Sequence, residues 1–153
     1  MKSKKYSFAI NSYNQAVNVI ITCQKQRIFP IIYIKYFMVN GFGPDWIKEF
    51  NNLLEQKFSK KKFKLFVDCK KNYGLFINLV EQKIDYLKID AKKETYKRLN
   101  QIAKKNKVSL NPQFSVLDLT KIKNIDLKIE RSFIKWFLKL MKLKHFFFTR
   151  QLM

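Results

Sequence analysis

The run FKLFVDC, residues 63–69, ends in a carboxylate and a thiol, and Lys70 and Lys71 separate these from Gly74 and the next apolar stretch. Seven residues thus offer three kinds of chemistry. Asp68 could work as a catalytic carboxylate or simply cap the helix that follows. Cys69 could be a nucleophile, since nearby cations and a helix N-terminus favour thiolate, or it could pack as a small hydrophobe. Lys70 and Lys71 could hold an anion at that helix start. A second loop follows the apolar run IIYIKY, where Gly41-Phe42-Gly43-Pro44 precedes another helical pattern. It is neither a complete dinucleotide fingerprint nor a Walker loop. Gly41, Gly43, Asp68, Lys70, Lys71 and Gly74 form a candidate edge for a small phosphorylated or carboxylated ligand, with plain turn chemistry as the alternative.

Lys35 interrupts IIYIKY and could be a Schiff-base amine or a solvated strand end. Asp118, in Leu117-Asp118-Leu119, also closes an apolar run. Paired carboxylates and a nucleophile triad are missing. The single His145 and the distant Cys23 and Cys69 lack metal-ligand spacing, so neither a metal nor a cofactor is implied. Binding is therefore expected ahead of catalysis, with Asp68 and Cys69 as the catalytic candidates.

These residues need elements to carry them. Ser7–Ile10 reads as a short strand. Ser12 with Gln15 makes a capping-box pattern for a helix over 12–26. Strands follow at 31–36, 63–69 and 84–89. Helices are expected from Pro44 to about residue 58, over the apolar residues 75–80, and from Asp90 to about Ala103. Either 108–110 or 114–119 supplies a fifth strand. Strands alternating with helices, two of them apolar on both faces, predict an α/β fold: a mostly parallel sheet of about five strands with helices on both faces, or alternatively a partial β/α barrel. The expected organisation is an α/β domain over 1–120, a hinge at 121–126 and a basic amphipathic helix and tail over 127–153.

Taken in order, Ala16-x-x-x-Ile20, Pro30-Ile31-Ile32, Gly43-x-x-Trp46, Val67-Asp68-Cys69, Gly74 and Leu117-Asp118-Leu119 resemble a family of short, uncharacterised bacterial α/β proteins. The resemblance spans about residues 8–120. It implies an α/β fold and a recurrent Asp-Cys site, with no activity attached. That family carries glycine directly after Asp-Cys and proline before the later glycine. Lys70 and Tyr73 stand at those positions here.

Charge bounds the partners. The 153 residues hold 32 Lys and Arg against 11 Asp and Glu, a net charge of +21. Such a surface attracts phosphate and anionic headgroups, although AT-rich coding drift would also enrich lysine. Aromatics interleave the lysines, as in Tyr96-Lys97-Arg98, and this favours RNA or a ribonucleoprotein as the leading partner. In LKIERSFIKWFLKLMKLKHFFF, residues 127–148, Lys128, Arg131, Lys135, Lys139 and Lys142 fall on one stripe beside a broad apolar face. That pattern fits an anionic membrane surface, a partner groove, or packing on the chain's own sheet. The cysteine usage, the lack of an apolar leader and the lack of a spanning run predict a cytoplasmic protein, with membrane association as an option.

Overall fold

A computed structural model describes residues 5–60 and 62–151, with side chains described as far as residue 142. The expected α/β fold with a parallel sheet is present. Among the described residues six strands, β1 (Tyr6–Ile10), β2 (Ile31–Ile34), β3 (Lys64–Asp68), β4 (Tyr86–Lys88), β5 (Ser109–Leu110) and β6 (Ser115–Asp118), lie in the order β5-β4-β3-β2-β1-β6. All five pairings are parallel. Both alternatives for the fifth strand are used, one at each edge.

The helices are α1 (Tyr13–Lys25), α2 (Tyr36–Phe42), α3 (Pro44–Phe58), α4 (Tyr73–Glu81), α5 (Lys93–Lys105) and α6 (Ile125–Gln151). From β1 to β5 each strand lands beside its predecessor, always stepping the same way. Right-handed crossovers then put the intervening helices on one face of the sheet. Accordingly, buried residues of every helix join Phe8, Ile10, Ile32, Ile34, Leu65, Val67 and Leu87 in one core. Of the two arrangements considered, helices on both faces or a partial β/α barrel, the packing is that of the partial barrel, and it is not closed.

The opposite face carries a smaller cluster of Ala9, Ile31, Tyr33, Phe66 and Tyr86, with Phe114 packed on it. Chain length explains its shape. The outer strands of a flat six-stranded sheet would lie about 24 Å apart. Only 111–114 links β5 to β6, and from Leu110 to Ser115 the chain reaches about 18 Å at most. The sheet must therefore curl, and the link brings Phe114 edge-on to Phe66 and Tyr86, with ring centroids 5.6 and 4.8 Å apart.

Local expectations are corrected in three places. VNGFG is not an open loop: α2 runs through Gly41, and the chain breaks only at Gly43, whose φ of 82° suits glycine. The helix after β3 is capped by Asn72, whose side chain accepts from Leu75 N at 3.0 Å, and not by Asp68. Asp90 does not cap α5 either; Lys92 occupies that position without a side-chain cap. At the end of the chain, Ile125 and Ile129 bury α6 in the main core, Asp126 accepts the Thr22 hydroxyl of α1, and Trp136 packs on Tyr6.

Candidate functional site

Parallel strands bring their carboxyl ends to one edge, and side chains two residues apart share a face. Tyr33 and Lys35, Phe66 and Asp68, Tyr86 and Lys88, and Asp118 therefore rise on the inner face toward that edge. Strand order makes neighbours of residues far apart in sequence. Ala9 lies between Tyr33 on β2 and Asp118 on β6 in the pairing register. Across its small side chain, Lys35 forms an ion pair with Asp118. Thr120 adds its N–H and hydroxyl to the other Asp118 oxygen, at 3.0 and 2.6 Å. The Lys35 hydrogen bond, helped by Thr120, holds Asp118 down to about 2.

Asp68 is buried and engaged on both oxygens. The Tyr33 hydroxyl donates to one at 3.1 Å, and the Lys70 N–H donates to the other at 2.9 Å. Burial, and then the neighbouring Asp68 carboxylate, push the Tyr33 phenol above its ordinary range. The turn that presents the Lys70 N–H requires a left-handed backbone there, φ 46°. That conformation is easiest for glycine. Backbone bonds tie the loops after β3 and β4 together: Cys69 N to Lys88 O at 2.9 Å, and Asp90 N to Lys70 O at 2.8 Å.

These loops enclose an open cleft of about 890 Å³ lined by Tyr36, Asp68, Lys70, Lys71, Asn72, Tyr73, Lys88 and Asp90. The Lys70 ammonium lies 5.4 Å from the centre of the Tyr36 ring. Lys71 approaches Asp90 at 3.7 Å, both well exposed. The cleft lining thus carries three lysines against two carboxylates, the exposed Asp90 beside Lys71 and the buried, fixed Asp68, together with Tyr36 and Tyr73. It can hold an anionic group by lysine and a hydroxyl by Asp68.

The sequence-predicted residues divide. Asp68, Lys70 and Lys71 line the cleft, and Gly74 sits in the first turn of α4 beside it. Gly41 and Gly43 belong to the α2–α3 junction and are not among its lining. Cys69 points the other way, into the helix-packed core. Burial, reinforced by Asp68, pushes its thiol up to about 12, so it is not a thiolate at neutral pH. Lys128, Arg131, Lys135, Lys139 and Lys142 are exposed along α6 and are not among the cleft lining. Sequence reasoning missed Tyr33, Tyr36, Tyr73, Lys88 and Asp90. The available signal was parity: Lys88 ends β4 as Asp68 ends β3, and the two are paired in register. Among the described residues no three His, Cys, Asp or Glu side chains converge as a metal cage.

The molecule these features define is a curled, open β/α sheet with a cationic cleft at its carboxyl edge. No protein-family model and no curated protein matches the chain. Among solved structures it is similar to a protein assigned as a fructose-1,6-biphosphate aldolase from Coccidioides immitis, with a TM-score of 0.56 and 8% identity over 70% of this chain. The match spans only 40% of that protein's length. At this identity the likeness is one of fold.

Proposed function

We propose that the chain binds a small phosphorylated or carboxylated molecule in the carboxyl-edge cleft. The observation that carries this reading is the meeting of Lys70, Lys71 and Lys88 with the Tyr33-anchored Asp68 in a single cavity large enough for a metabolite. In this reading the lysines take the anionic group, and Asp68 accepts a hydrogen bond from a hydroxyl next to it. The buried thiol of Cys69 has no part, so the role is binding rather than nucleophilic catalysis. Thermal melts with phosphate, pyrophosphate and citrate test it. At least one should raise the melting temperature in a saturable way at constant ionic strength, and a flat response to all three would count against the reading.

RNA remains a second reading because of one specific feature. On and beside α5, Lys92, Lys93, Lys97, Arg98, Lys104, Lys105 and Lys107 are all exposed, against the single acid Glu94. Binding carried by such a face is mainly phosphate neutralisation, so its affinity should fall steeply and log-linearly with salt. A titration of mixed-sequence RNA at two salt concentrations separates the cases. No binding at low salt ends this reading.

A further inference from the structure

Beyond Trp136 the described side chains of helix α6, as far as residue 142, are all exposed. Projected at 100° per residue, its side chains divide into three sectors. Ile125, Ile129, Phe133 and Trp136 form the first and pack on the domain. The neighbouring sector holds Leu127, Ile134, Phe137, Leu138 and Met141, and all of these are exposed, Phe137 by 65%. The third is the cationic stripe of Lys128, Arg131, Lys135, Lys139 and Lys142, also exposed. Glu130 falls within the angular sector of the apolar arc, about two turns before Phe137, and residues 131–142 contain no acid.

We propose that the exposed arc and its stripe are a docking surface for an anionic membrane, with α6 lying in the interface. Charge selects this occupant. A second copy would bring a like-charged stripe alongside the first, with only Glu130 and Asp126 on the described part of α6 to offset it. An anionic lipid surface complements the stripe, while Phe137, Leu138 and Met141 enter the acyl boundary and the lysine stems reach back to the headgroups. Insertion across the bilayer is not involved, because no helix among the described residues is long and apolar enough to span.

Flotation of the full chain with vesicles of phosphatidylcholine alone, or of phosphatidylcholine with phosphatidylserine, tests the proposal. The chain should float with the anionic vesicles and much less with the neutral ones. The double variant Phe137→Ser/Met141→Ser removes exposed apolar surface only. It should keep the parent melting temperature and bind anionic vesicles at least about tenfold more weakly. Neutralising Lys135, Lys139 and Lys142 to Gln should cost about fivefold for each charge. Three results would overturn the proposal. One is the absence of flotation. Another is flotation indifferent to the apolar pair, which would leave only diffuse charge attraction. The last is a dimer in sedimentation that the same apolar pair turns to monomer, since a second copy would then be what covers the face.

Discussion

At the scale of single residues, the two ends of Asp-Cys have opposite fates because a strand alternates its faces. Asp68 turns to the inner face and the cleft, and Cys69 turns to the helix side. Cys23 and Cys69 are both buried, with thiols pushed up to about 12. Iodoacetamide at neutral pH should therefore label both slowly and equally in the folded protein, and quickly after unfolding. Fast labelling of Cys69 alone would show a reactive thiol that its packing denies. The Lys35–Asp118 pair makes a second prediction. A carboxyl held down to about 2 contributes stability above its unfolded value near 4, and that contribution is lost as pH falls through the folded value. Asp118→Asn should be less stable than the parent at pH 7, and the gap should close between about pH 4 and pH 2. Because Asp118 is half exposed, the gap should be under about 1 kcal/mol. Denaturant melts of both proteins across that range check the sign. Lys35 and Asp118 could each be picked from the sequence as strand ends. Their partnership could not, since it depends on β6 pairing with β1 across 109 residues from Tyr6 to Ser115.

At the scale of elements, capping was the most legible signal where it was local. Ser12 accepts from Gln15 N at 3.2 Å, as the capping-box pattern suggested. The Gln15 carboxamide then departs from that pattern: it accepts from Asn11 N at 2.8 Å and donates to Leu119 O at 3.0 Å, so the cap also anchors the end of β6. VNGFG misleads because glycine and asparagine are poor helix formers, whereas burial of Met38 and Val39 pays for the extra turn. Helix ends were illegible for a related reason. The helices α1, α4 and α5 close in the same way, with a left-handed residue after the cap and a 6→1 backbone bond from the next: Ile28 N to Cys23 O, Ile84 N to Leu79 O, and Val108 N to Ala103 O. Glycine usually marks that position, but here Arg27, Lys83 and Lys107 occupy it, with φ of 54°, 58° and 60°. Replacing any one with glycine should raise stability by about 0.5–1 kcal/mol, since the relief of left-handed strain exceeds the added unfolded-state freedom. Replacement by valine should lower it. Chemical denaturation of each variant measures the sign.

At the scale of the whole molecule, alternation of strands and helices announced an α/β sheet, and the curl came from a quantity visible only once the strand order was known: a link too short for a flat sheet. The parallel strands bring Lys35, Asp68, Lys88 and Asp118 to one edge, and of these Asp68 and Lys88 line the cleft. Net charge was legible but not its meaning, because +21 spreads over α5, the α6 stripe and the cleft alike. The central claim is that the cleft, and not charge in general, binds a small anion. A charge-matched comparison tests it most directly. Lys70→Gln/Lys71→Gln/Lys88→Gln and Lys135→Gln/Lys139→Gln/Lys142→Gln each remove three positive charges. In isothermal titration at constant ionic strength with whichever of phosphate, pyrophosphate and citrate raises the melting temperature most, the cleft variant should lose at least about tenfold in affinity, and the α6 variant should match the parent. Equal loss in both variants, or no loss in either, would contradict the account.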